Sequence, residues 1–311
     1  MQRTDAPILE AKEVTKIFPR GKGGGTFKAL NKVNLAMYNG DCLAVVGESG
    51  CGKSTLAKII MNLLNPDGGE ILFKGEKISG LTGKALFNLR AKIQMIFQDP
   101  SMAVNPRMRV KDIVAEPLVN FKRVPRGQRR DTVAQLLNGV GLNESFLNRH
   151  PHSMSGGQLQ RVSIARAIAL KPEIIVCDEA TSALDVSIQK VILDLLSDLS
   201  NKEGVQYVFI CHDIALADDF SNVIMVMYKG HVVEFLRDRA LKKSSRHPYT
   251  KLLLDSVFPT NPKELMDEKE SFLNSQGNEL REESSAPQGC VFYHRCPQAT
   301  DECPKAQPPL V

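Results

Sequence analysis

Leu43-Ala44-Val45-Val46-Gly47-Glu48-Ser49-Gly50-Cys51-Gly52-Lys53-Ser54-Thr55 is the stretch on which the fold turns. Its four leading apolar residues form a short run that ends in glycines, as a strand buried on both faces does. The octet Gly47–Ser54 fits G-x-x-x-x-G-K-[ST], and apolar residues then recur at helical spacing from Leu56 to Leu64. Strand, glycine loop and helix in that order make a cradle for phosphate. The glycines let successive backbone N–H groups turn inward, and the helix points its positive end at the same place. Lys53 supplies a cation for the β- and γ-phosphates, and the Ser54 hydroxyl suits a magnesium ion. Glu48, Ser49, Gly50, Cys51, Gly52 and Thr55 complete the predicted binding set, with Cys51 filling a permissive loop position.

The same alternation continues outward. Ile8–Val14, Val33–Met37 and Glu70–Phe73 read as strands. Strand signals return at Ile174–Cys177, Val205–Cys211 and Val223–Met227. A helix over 186–199 separates the first two, with Ile188, Val191, Ile192, Leu195 and Leu196 as its apolar stripe. Strands alternating with helices predict a mostly parallel α/β sheet. About 99–170 reads as an inserted helical subdomain, with Val133, Leu136, Leu137 and Val140 on one helix face. Residues 1–258 thus form one domain, 259–288 a polar linker, and 289–311 a short cysteine-containing tail.

Ile174-Ile175-Val176-Cys177-Asp178-Glu179 is an apolar strand ending in two acids. Buried carboxylates are costly without partners, so the pair reads as functional beside a phosphate loop. Asp178 is placed to hold magnesium, and Glu179 to polarise an attacking water. Met154-Ser155-Gly156-Gly157-Gln158 precedes an apolar helix predicted over 162–170 and offers a second anion site, or an ordinary helix cap.

Composition sets outer limits. The 311 residues carry a formal charge of only +5, without a dense Lys/Arg stripe, so a nucleic-acid partner is not expected. No apolar run reaches the ~18 residues of a membrane-spanning helix. The N-terminal residues lead into no signal core. Seven cysteines, four of them in or beside strand-like runs, suit a reducing cytosol better than a disulfide framework.

Gly47–Ser54, Gln98, Ser155–Gln158, Asp178-Glu179, Ser182-Ala183-Leu184-Asp185 and His212 resemble, in order and spacing, the nucleotide-binding subunits of ATP-binding-cassette transporters. The resemblance covers about residues 8–240 and implies a P-loop NTPase core with flanking antiparallel strands. It implies ATP and Mg²⁺ as ligands. Gln98 would contact the metal and water, Asp185 would belong to a loop that crosses to a companion subunit, and His212 would reach the γ-phosphate. Phe18 would stack on adenine. Ser155 and Gly157, with Gly156 and Gln158, would complete the companion's site.

Asp99-Pro100, Val104–Arg107, Ala115–Leu118, His247-Pro248-Tyr249-Thr250 and the tail from Gly289 to Cys303 resemble the dipeptide/oligopeptide/nickel branch, closer to its F-type ATPase. That implies a heterodimer with a D-type ATPase, two membrane permeases and an extracytoplasmic binding protein. The chain would then sit at the cytoplasmic face of the membrane. The cargo implied is short peptides, with nickel or a metal chelate as the alternative. Cys290, Cys296 and Cys303 leave open an iron–sulfur cluster of the [4Fe–4S] type, lacking one ligand, or plain thiols. A soluble repair or translation cassette would carry a coiled-coil insertion or a second fused cassette. A degenerate regulatory subunit would lack Glu179 or His212.

Overall fold

Leu43, Val45 and their neighbours organise the molecule by period-two alternation. The computed structural model describes residues 6–20, 25–181, 184–237, 244–257 and 289–308. In chain order the elements are β1 (Leu9–Pro19), β2 (Thr26–Met37), β3 (Cys42–Val46), α1 (Lys53–Ile60), β4 (Gly68–Phe73), β5 (Glu76–Lys77), α2 (Gly83–Lys92), β6 (Ile93–Ile96), α3 (Val110–Asn120), α4 (Arg129–Gly139) and α5 (Gly156–Ile168). Then follow β7 (Ile174–Asp178), α6 (Val186–Glu203), β8 (Gln206–Ile210), α7 (Ile214–Phe220), β9 (Val223–Tyr228), β10 (His231–Leu236) and α8 (Pro248–Val257).

The strands form two sheets. An antiparallel sheet runs β2-β1-β4-β5, and a second runs β10-β9-β3-β8-β7-β6. In the second, β9, β3, β8, β7 and β6 are parallel, while β10 pairs antiparallel with β9. Odd and even residues of the parallel strands face different cores, as the pleat requires. Leu43, Val45, Ile174 and Val176 join β1, β2 and α1 in one apolar cluster. Ala44, Val46, Ile175 and Cys177 face the other way, toward α3, α4, α5 and α6. The predicted fold class therefore holds, down to the flanking antiparallel strands and the helices inserted between β6 and β7.

Four local features depart from the sequence reading or go beyond it. The parallel sheet already includes β6, reached through α2, ahead of the helical insertion. Helix α5 starts at Gly156, not Val162, because Ser155 caps it. In α6 the buried residues are Ile192, Leu193, Leu196 and Leu199, while Val191 is 45% exposed. The real stripe is rotated toward Leu193 and Leu199. The tail packs onto the domain, since Cys290 and Phe292 belong to the same apolar cluster as α3 to α6. The expected linker over 259–288 lies outside the described residues.

Candidate active site

The glycine loop is squeezed between two strands, and that explains its composition. Gly47 has φ 150°, and a Cβ there would lie 2.1 Å from the Met227 carbonyl oxygen at the end of β9. Gly52 has φ 110°, and its Cβ would meet the Ala29 oxygen of β2 at 2.4 Å. Only glycine fits either position. Helix α1 opens at Lys53 with no side-chain cap, so its first N–H groups face the loop and await an acceptor. Lys53 is 4% exposed, yet its ammonium is satisfied: Nζ donates to the Gly47 oxygen at 2.6 Å and the Glu48 oxygen at 3.0 Å. The loop thus carries its cation inside its own ring of carbonyls. Burial pushes the neighbouring Cys51 thiol up, with Lys53 pulling the other way.

The two predicted halves of the site meet. Ser54 Oγ donates to Asp178 Oδ1 at 2.9 Å across 124 residues of sequence. Burial raises the Asp178 pKa, opposed by that hydrogen bond and aided by the Glu179 charge. A hydroxyl and a carboxylate oxygen side by side are the hard donors that magnesium prefers. Glu179 stands at φ 49°, in the left-handed region, with its N–H bonded to the Ile210 oxygen at 3.0 Å. It lines an open cleft of about 260 Å³ with Ser49, Gly50, Gly52, Lys53, Ser54 and Thr55.

The far wall of that cleft is aromatic. Phe18 lines it, and so does Phe27, which the sequence reading missed. The two are cross-strand partners in the β1–β2 hairpin, with ring centroids 5.8 Å apart and planes tilted by 30°. Phe27 is 41% exposed. The available signal was the placing of Phe18 and Phe27 on either side of the basic, glycine-rich stretch Arg20–Gly25.

Gln98 and His212 do not line the cleft, but register brings both to the carboxyl edge of the parallel sheet. Ile96 pairs with Cys177, so Gln98 emerges two residues beyond β6, beside the Asp178 end of β7. Asp178 pairs with Ile210, so His212 emerges two residues beyond β8 on the same carboxyl edge. Both are exposed. Asp213 next to His212 caps α7, accepting the Ala215 N–H at 2.8 Å.

The second glycine motif lies elsewhere. Ser155 and Gln158 form a reciprocal capping box at the start of α5: Gln158 N–H donates to Ser155 Oγ at 3.3 Å, and Ser155 N–H to Gln158 Oε1 at 3.2 Å. Gly157 backs onto Ile188, where a Cβ would approach Cγ2 to 2.8 Å, and Gly156 faces Leu184. The motif is therefore packed against the beginning of α6, where exposed Asp185 occupies the cap position. None of Ser155, Gly156, Gly157, Gln158 or Asp185 lines the cleft. Ser182 and Ala183 lie outside the described residues.

The tail cysteines do not make a metal site here. Among the described residues, no group of three or more His, Cys, Asp or Glu side chains converges to hold an ion. Cys290, Cys296 and Cys303 are free thiols; burial raises Cys296, while Thr300 hydrogen bonds lower the half-buried Cys303. Nor is any helix among the described residues long and apolar enough to cross a membrane.

The chain is similar to known proteins. The family described as ABC transporter matches residues 30–182, and the oligopeptide/dipeptide transporter C-terminal region matches 233–303. An oligopeptide transport ATP-binding protein of Salmonella typhimurium is 42% identical over 286 residues, 92% of this chain and 85% of its own. One from Bacillus subtilis is 40% identical over 307 residues, 97% of this chain and 92% of its own. Among solved structures, a dimeric ATP-binding cassette in a post-hydrolysis state bound to ADP and Pi matches with TM-score 0.67 and 34% identity. It covers 74% of this chain and 98% of that one. A cassette of Clostridium perfringens, part of an ABC transporter complex, matches with TM-score 0.69 and 27% identity. It covers 85% of this chain and all of that one, 100%.

Proposed function

Because the chain belongs to the ATP-binding subunits of ABC transporters, we propose that it is the ATP-hydrolysing motor of an importer for di- and oligopeptides. The observation that carries the reading is the 2.9 Å contact between Ser54 and Asp178, made at the foot of the glycine loop with Glu179 on the same cleft. It joins an anion cradle, a pair of hard oxygen donors and a carboxylate within one opening.

The chemistry follows from those positions. Main-chain N–H groups of the loop and α1 bind the phosphate oxygens, and Lys53 neutralises their charge. Phe18 and Phe27 offer the adenine ring an aromatic wall. Ser54, Asp178 and Gln98 would hold Mg²⁺, which when bound supplies charge stabilisation to the transferred phosphoryl group. Glu179 takes up the proton of the attacking water; its left-handed backbone, worth about 1–3 kcal/mol of strain, is supported by the neighbouring strand. His212, on the same edge, is assigned to the γ-phosphate.

Ser155 and Gly157 are assigned to a companion's nucleotide. What supports this is their distance from the chain's own cleft: a capped helix start beside exposed Asp185 and 82% exposed Val186. Two incomplete half-sites sharing one γ-phosphate are held together by ATP and released when the bond is broken. The companion is a D-type ATPase in a heterodimer. Above them stand two permeases fed by an extracytoplasmic binding protein, with this chain peripheral at the cytoplasmic face. Residues 1–258 form the motor and 289–311 the branch-specific tail.

The family match over 233–303 favours peptides over nickel. Reconstituted complexes in vesicles test the cargo: ATP turnover should rise with di- to pentapeptides and their binding protein. Turnover that answers to nickel and ignores peptides would replace the peptide reading.

A further inference from the structure

Glu48 belongs to the predicted binding set but does not line the cleft, and the structure occupies both its ends with residues from the far C-terminal part of the chain. Its N–H donates to the Tyr249 hydroxyl at 2.9 Å. Its carboxylate accepts from Arg295 Nη1, at 2.9 Å to Oε1 and 3.0 Å to Oε2. These partners are 201 and 247 residues away.

Both partners are themselves held. Tyr249 is 1% exposed and Phe292 is 1% exposed, and with Tyr228 they form an aromatic knot beneath the loop. The Tyr228 and Tyr249 rings are 4.7 Å apart, and Phe292 meets Tyr228 edge-on at 5.2 Å. Arg295 follows Phe292 in a short 3-10 turn, lays its guanidinium 5.7 Å from the Tyr228 ring centre, and donates to the Tyr228 hydroxyl at 3.4 Å. Tyr228 ends β9, one residue after the Met227 carbonyl that presses on Gly47. The tail therefore grips the loop at Glu48, and none of Glu48, Tyr249 and Arg295 lines the cleft.

We propose that Arg295 is a positioning residue for nucleotide binding. Through its ion pair with Glu48 it ties the C-terminal tail to the phosphate loop, so that an attached tail keeps the loop in its binding shape. This rests on the ATP-binding reading of the loop and adds a reason for the tail to exist within a motor subunit. Glu48 Oε and Arg295 are partly exposed, with 44% and 41% of their side chains accessible, so the coupling is modest and salt-sensitive.

The test is a double-mutant cycle on the full chain, reading the Kd for a fluorescent ATP analogue. Arg295→Gln should weaken binding by about two- to fivefold at low salt, and the loss should shrink in ~0.5 M salt. Arg295→Lys should restore most of it. In a Glu48→Gln background, Arg295→Gln should cost nothing more. Tyr249→Phe, which deletes only the hydroxyl, should weaken binding independently of salt. An unchanged Kd in Arg295→Gln, or an equal loss with and without the Glu48 carboxylate, would overturn the proposal. Wild-type chain that binds no ATP at all would instead remove the functional reading beneath it.

Discussion

Glu179 is held at φ 49° one residue after the metal-side carboxylate of Asp178, and the side chain that results faces the cleft. Replacing it with Gln keeps shape and hydrogen-bonding capacity but removes the base. Glu179→Gln should therefore bind ATP as the wild type does while phosphate release falls by about a hundredfold or more. Unchanged phosphate release in an assembled complex would take Glu179 out of the reaction. Glycines give a second residue-level test. Gly47 and Gly50 both have positive φ, but a Cβ at Gly47 collides with the Met227 oxygen, whereas at Gly50 it meets nothing within 4 Å. Gly50→Ala should lose about 1 kcal/mol of stability, and Gly47→Ala at least ~2 kcal/mol more, read from denaturant midpoints. Equal losses would mean that the loop is not wedged against β9.

At the scale of elements, the β1–β2 hairpin brings Phe18 and Phe27 to one wall. Phe18→Ala and Phe27→Ala should each weaken ATP binding about tenfold, and weaken triphosphate without a base hardly at all. Equal losses for both ligands would place the rings outside base recognition. Helix α8 has a pH-sensitive cap. Tyr249 N–H donates to His247 Nδ1 at 3.1 Å, so that nitrogen must be unprotonated. Burial holds the His247 pKa below its ordinary value, against the pull of Glu234; burial lowers His231 likewise. Below the ordinary value of about 6.5 the unfolded chain binds more protons than the folded one. Stability is thus lost as pH falls through that value toward the lowered folded one. The thermal midpoint should drop between about pH 7 and 5, and drop less in His247→Asn, which keeps an acceptor. Identical slopes in the two proteins would exclude the cap.

Elements also show what a sequence makes legible. The strand–loop–helix core was readable because glycine, lysine and serine there answer to local geometry. Runs such as Ile174–Cys177 announced buried parallel strands. Strand β6 was hidden because Ile93-Gln94-Met95-Ile96 follows α2 without a break, and only pairing with β7 makes it a strand. In α6, periodicity alone put Val191 inside, whereas Leu193 and Leu199 are packed by partners far away in sequence. Phe27 and Arg295 escaped notice because their meaning lies in contacts across a hairpin and across 247 residues.

For the whole molecule, the glycine loop, the two acids, Gln98 and His212 all follow strands at the carboxyl edge of one parallel sheet, where ligand sites lie in open α/β folds. The glycine loop leaves β3, Asp178 and Glu179 leave β7, Gln98 follows β6, and His212 follows β8. The capped start of α5 stands apart, which is what a motor that closes on a companion requires. All of this depends on the loop and Lys53 gripping a triphosphate. Calorimetric titration of ATP into the purified chain measures that grip directly. The account predicts saturable binding at one site per chain, weakened at least thirtyfold in Lys53→Ala; equal affinity in the two proteins, or none in the wild type, would contradict it.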